Sequence, residues 1–262
     1  MSKAEDGNGE KPRVGTYVYG IVPGDVELVP DTKGVGDPPG DIELVQEGDV
    51  AALVSEVELG KKLGRPEELK LHEHLLDATI AANIPVLPMR FGAVLKSKTA
   101  VSKELLAKHH DLFASALEEL EGRAEYIVHG RYREQAVLQE VLSENSGAAK
   151  LQEQIKDLPE DEAKELRIEL GETIGHAIEA KREVDSGRAV EALEEHAIAT
   201  GARPASHELD AVQVAVLVEL SKEKEIEEVV EALAHDWEDR MDLSLRGPLA
   251  PYDFVVQLKP GG

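Results

Sequence analysis

The run Pro85-Val86-Leu87-Pro88-Met89-Arg90-Phe91-Gly92-Ala93-Val94-Leu95 constrains the fold of this chain more than any other stretch. On a period of two, Leu87, Met89, Phe91, Ala93 and Leu95 share one face, and Val86, Pro88, Arg90, Gly92 and Val94 share the other. That pattern predicts a strand with a continuous apolar face. Pro88 cannot donate to a ladder, so the strand belongs at an edge, at a bulge or at its own first residues. Pro85 pushes Ile84 out of helical geometry, so a preceding helix must stop near Asn83. Arg90 is the one charge on this strand. It is expected either to form a structural ion pair with an acid of the first sheet or helix, or to present its charge at a partner surface.

The segments before and after the run form an N-terminal α+β domain over residues 14–122, preceded by a disordered tail over residues 1–13. Residues 14–22 read as a first strand. The Gly/Pro loop at residues 34–40 has no lysine after its last glycine and leads into a strand, so turn chemistry explains it better than phosphate binding. Two strands joined around Glu47-Gly48-Asp49 form a hairpin. A helix over residues 66–82 follows, with Pro66 in its first turn and Leu71, Leu75, Ala78 and Ala82 as the expected buried stripe. A second helix, capped by Thr99 or Ser102, reaches Leu120 with Leu105, Leu106, Leu112, Phe113 and Leu117 inward.

Strand character restarts at Tyr126 and opens a C-terminal domain over residues 123–258. A short helix from Glu134, a break at Asn145-Ser146-Gly147 and a long helix or helical pair, with a bend near Asp185-Ser186-Gly187, give a helical insertion over about residues 134–200. Residues 210–220 are apolar on both faces and read as a central strand. Ser221 is the expected cap of a helix with Ile226, Val230, Leu233 and Trp237 inward, and a strand from Met241 follows. The succession strand, helices, strand, helix, strand predicts a modified ferredoxin-like sandwich with an inserted helical arm.

Composition limits what such a chain can do. With 29 basic and 53 acidic residues the net charge is −24, which opposes binding to nucleic acid or an anionic membrane and favours a basic or apolar protein partner. Aromatic residues make up only 3%, so large aromatic ligand cages are not expected. The chain has no cysteine, which removes thiolate chemistry and cysteine metal sites and suits a reducing cytosol. With no apolar run long enough for a signal or a membrane span, the protein is expected to be soluble.

No catalytic set emerges. His72 and His74 diverge by about 200° at roughly 100° per residue, and adjacent His109 and His110 also diverge, so neither pair chelates a metal by itself. Exposed or capping histidines are expected, with no metal and no cofactor. Carboxylates are too abundant for any pair to point to acid–base catalysis, and neither Ser146 nor Ser186 lies in a nucleophile elbow.

Three stretches resemble one known family. The segment IPVLPMRFGAVL between two helices is similar to the signature strand of the gas vesicle proteins F and L. Gly247-Pro248-Leu249-Ala250-Pro251-Tyr252-Asp253-Phe254 resembles that family's Gly-Pro-Trp-Pro-Pro-Tyr-Ser-Phe ending, departing from it at Leu249, Ala250 and Asp253. Tyr17-Val18-Tyr19-Gly20-Ile21-Val22 resembles its first strand. The resemblance implies the two-part α+β architecture and a non-enzymatic accessory protein of gas vesicles. Such a protein would be cytoplasmic or on the vesicle, and would assist assembly by binding the major shell protein and other accessory proteins. Pro88, Arg90, Phe91, Tyr252 and Phe254 are then candidates for partner contact or for a structural signature. Ferredoxin-like folds also serve as small-molecule sensors and small enzymes, so that class stands as the alternative.

Overall fold

The structure, a computed structural model, describes residues 13–27 and 33–255. The expected disordered tail therefore lies outside the described residues except for Arg13, as do residues 256–258 of the expected second domain. The architecture is α+β, with two sheets and their helices in two compact units.

In the first unit, β1 (Val14–Pro23) is the strand around which the sheet is built, because its residues from Gly15 to Val22 are all buried. It pairs antiparallel with β3 (Val50–Glu58), which pairs in turn with β2 (Glu43–Glu47) through a tight hairpin. The register slips between Val18 and Gly20, so Tyr19 is an extra residue bulging from the ladder. On the other side of β1 lie two short strands, β4 (Leu87–Pro88) and β5 (Val94–Leu95), at the sheet edge. The expected single strand over residues 86–95 is thus interrupted. Gly92 takes φ +89°, which an L side chain adopts only under strain, and the chain turns at Phe91-Gly92 before pairing again.

Helix α1 (Pro66–Ala81) opens with Glu68, whose carboxylate accepts from the backbone N–H groups of Gly64 and Arg65. Asn83, at φ 61°, follows its end. Its buried face is Glu68, His72, Leu75, Leu76, Thr79 and Ile80, whereas Leu71 is 38% exposed and Ala78 and Ala82 face out. The expected stripe was one residue out of phase. The true face places Leu76 and Ile80 in the core where the expected one offered two alanines, so it removes more apolar area from water. Ser97, not Thr99 or Ser102, caps the next helical stretch. That stretch runs through α2 (Lys98–Ala100), a widened π turn and a 3-10 turn into α3 (His110–Leu120). Leu112, expected inward, is 51% exposed.

In the second unit the sheet order is β7-β8-β6-β9, formed by β6 (Arg123–Tyr132), β7 (Ala199–Ala202), β8 (Asp210–Glu219) and β9 (Met241–Leu249). Helices α4 (Glu134–Glu144), α5 (Ser146–Lys156) and α6 (Lys164–Glu194) connect β6 to β7, and α7 (Glu223–Asp236) connects β8 to β9. That succession is compatible with the split β-α-β reading. Three local expectations change. Residues 199–202 form a strand where the end of the helical insertion and the break after it were expected, α6 runs unbroken through Ser186-Gly187, and a 3-10 turn over Leu220–Lys222 precedes α7 in place of a Ser221 cap. The larger difference is at the end of the chain. Residues 249–255 group with the first unit, so the second unit spans Arg123–Pro248 and ends before the expected boundary at residue 258.

Candidate functional site

The first unit is fastened around His72, which is 2% exposed at the centre of α1's inner face. Burial holds its pKa down at about 4, outweighing the opposite effect of the Met89 carbonyl, so the ring is neutral at neutral pH. Geometry then fixes its tautomer. Nε2 lies 3.0 Å from the Met89 carbonyl oxygen, which can only accept, so Nε2 carries the proton. Nδ1 is left as an acceptor for the Tyr17 hydroxyl at 3.0 Å, and that hydroxyl oxygen accepts from the Gly92 N–H at 3.0 Å. The Tyr252 hydroxyl oxygen, 2.8 Å from Nε2, shares the same proton. His72 and Tyr17 therefore hold both shoulders of the turn that interrupts the signature stretch.

Aromatic rings close around this network. Phe91 meets both Tyr17 and His72 edge-on, with centroids at 5.9 and 5.7 Å, and Tyr19 stacks on the imidazole at 5.5 Å. The Tyr19 hydroxyl accepts from the Val35 N–H and lies 2.8 Å from the Ser55 hydroxyl, while burial raises the pKa of both Tyr17 and Tyr19.

Beside the hub, in the same unit, is an apolar groove of about 220 Å³ lined by Leu87, Pro88, Met89, Leu112, Phe113 and Phe254 among others. The exposed Leu112 side chain stands at its wall, and Glu119 supplies a carboxylate.

The structure thus divides the sequence candidates. Phe91 and Tyr252 converge on His72, and Pro88 and Phe254 line the groove. Arg90 does not join this convergence; it is exposed just before the turn, with its carbonyl accepting from the Ala93 N–H. His72 was expected to be exposed or capping and is instead the hub. The signal that could have found it is the i, i+3, i+4 run Glu68, His72, Leu75, Leu76, Thr79 and Ile80, read as a face in its own right. His74 is exposed as expected, whereas His110 is only partly exposed: it meets Asp49 at 2.6 Å and Asp111 at 3.2 Å, and Asp111 leads the effects that raise its pKa. Among the described residues no group of three or more His, Cys, Asp or Glu side chains is placed to hold a metal ion, and no helix is long and apolar enough to cross a membrane.

Comparison with known proteins bears on the family and the fold. The family described as gas vesicle synthesis protein GvpL/GvpF matches residues 15–256. Gas vesicle protein F of a Streptomyces species is 31% identical over 242 residues, covering 92% of this chain and 99% of that protein. The Dolichospermum flosaquae protein of the same name is 26% identical, covering 91% and 96%. Crystal structures of GvpF from an Anabaena species and from Microcystis aeruginosa superpose with TM-scores of 0.73 and 0.70 at 23% identity. They cover 94% and 92% of this chain, and 99% and 98% of their own. On the strength of the full-length family match, this chain belongs to the gas vesicle synthesis protein GvpL/GvpF family.

Proposed function

We propose that this protein is a non-enzymatic accessory factor in gas vesicle assembly that holds the major shell protein without a covalent step and meets other accessory proteins at the vesicle in the cytoplasm. The observation that carries the reading is convergence. Two of the three stretches that resemble the family, around Pro88-Phe91 and Tyr252-Phe254, meet at a buried hub and then line one open apolar groove. The hub bonds fix backbone shape, and the groove offers apolar surface that a small hydrophobic subunit would cover. Pro88 belongs to this surface as an edge residue, Phe254 as a groove wall, and Arg90 as an exposed charge at the rim of the turn.

Purified protein should retain the major shell protein in a pull-down, with a part of the binding that survives raised salt because it is apolar. Leu112→Asp should abolish that part while the melting temperature stays within about 1 °C, since the side chain is half exposed. Arg90→Ala should weaken only the salt-sensitive part. No retention at any salt concentration, together with normal vesicles in cells lacking the protein, would refute the proposal.

A further inference from the structure

The second unit has an acidic cleft that neither the fold nor the family role accounts for. It lies between α7 and β9, has a volume of about 370 Å³, and is lined by Tyr126, Glu223, Glu227, Glu231, Leu243 and Leu245 among others. The three glutamates fall at i, i+4 and i+8 on one side of α7, so they repel along the helix face. Among the described residues none of them has a cationic partner. Glu223 gains from the helix N-terminus, but Glu227 and Glu231 lie beyond its reach.

The second observation concerns the sheet beside these charges. Tyr126 is 1% exposed, and its hydroxyl has no hydrogen-bond partner at bonding geometry. Leaving such a group unsatisfied is unfavourable, because it gives up its bonds to water without replacement. Its ring is held from behind, because Gly247 packs so closely that an added Cβ would overlap the ring carbons. Burial foremost, and then the carboxylate of Glu223, keep the phenol protonated. A buried hydroxyl residue, carboxylates without a cation and apolar walls from β9 therefore line one cleft.

We infer that this cleft binds an organic cation, an ammonium or guanidinium group carried on an aliphatic stem. Leu243 and Leu245 would cover the stem, Glu223 and Glu227 would pair with the charge, and the Tyr126 oxygen would accept one of its N–H groups. A bare metal ion fits less well, since no three of these ligand types among the described residues come together around a point. The same chemistry is offered by a lysine or arginine side chain of a protein partner and by a free polyamine. The inference stands independently of the proposed assembly role.

The test titrates the intact protein with spermidine, with the blocked tripeptides Leu-Lys-Leu and Leu-Arg-Leu, and with blocked Leu-Gln-Leu as a neutral control. Saturable binding of the cationic probes without binding of the control is expected. Tightest binding by a tripeptide assigns the cleft to a partner's side chain, and tightest binding by spermidine assigns it to a free polyamine. Glu223→Gln combined with Glu227→Gln should weaken binding by roughly tenfold or more. Tyr126→Phe should weaken it while leaving the melting temperature unchanged or raised, because no internal partner is lost. Equal binding of the control, unchanged affinity in the double variant, or calcium binding where the organic cations are silent would each overturn the inference. A clear loss of stability in Tyr126→Phe would do the same, by showing that the hydroxyl is already bonded within the fold.

Discussion

The two units solve one problem, anchoring a polar centre inside an aliphatic core, with opposite chemistries. In the first, every member of the His72 hub is neutral, and the bonds run to a carbonyl and two phenols. In the second, the centre is ionic. Asp185, 5% exposed, accepts two bonds from the Arg240 guanidinium at 3.1 and 3.0 Å and one from the Tyr132 hydroxyl at 2.6 Å. Arg240 also reaches Glu140, which Lys181 shares with Glu144. A neutral hub avoids the cost of desolvating charge and stays intact only while its histidine is deprotonated. An ionic hub ties four segments at once, and removing one partner strands a buried charge.

The contrast gives graded expectations. Arg240→Ala should have the largest effect, about 3–5 kcal/mol lost in denaturant unfolding of the second unit followed by Trp237 fluorescence, because the Asp185 carboxylate is left without its cation. A loss near zero would mean that the ionic centre is dispensable. The pH dependence of the first unit comes next. The His72 pKa is about 4 in the folded chain against an ordinary 6.5, so the unfolded state takes up the proton first as pH falls. Its stabilising contribution is present in full above pH 6.5 and disappears progressively as pH drops toward 4, about 3 kcal/mol in all. Protection factors of the Tyr17 and Tyr19 amides, taken relative to the intrinsic exchange rate at each pH, should fall across that window, and His72→Gln should flatten the response. Tyr252→Phe should be mildest, at most about 1 kcal/mol by thermal melting, since the Met89 carbonyl keeps its bond to Nε2.

The parts legible in the sequence were those where one pattern dominates. β8 announced itself as a buried strand through apolar residues on both faces, and the closely spaced turn residues Gly48-Asp49 marked the β2–β3 hairpin. The stripe of α1 was harder to place, because two faces one residue apart share Leu75 and only packing distinguishes them. The turn in the signature stretch was hidden by perfect alternation: Phe91 and Ala93 keep period two on paper, while Gly92 supplies the left-handed φ. β7 was missed because Ala199-Thr200-Gly201-Ala202 has little intrinsic strand preference and exists by pairing with β8. α6 continues as one helix through Ser186-Gly187, where Asp185 is tied to Arg240 and the Ser186 hydroxyl bonds the Ala211 carbonyl. Of the candidate site, the contributing stretches were visible, but their shared histidine was not.

The return of residues 249–255 to the first unit sets a timetable for synthesis. Tyr252 reaches His72 across a sequence separation of 180 residues, and the whole second unit is translated in between. A ribosome that has released residues up to Gly122 has made the sheet, α1 and the turn, yet the hub still lacks its last phenol and the groove still lacks Phe254. The nascent first unit must therefore wait with the Nε2 side of its histidine incompletely covered until the second unit has emerged and had time to fold. The apolar groove is completed only once Phe254 has emerged, so a chain that stalls before that residue lacks one of the groove's walls.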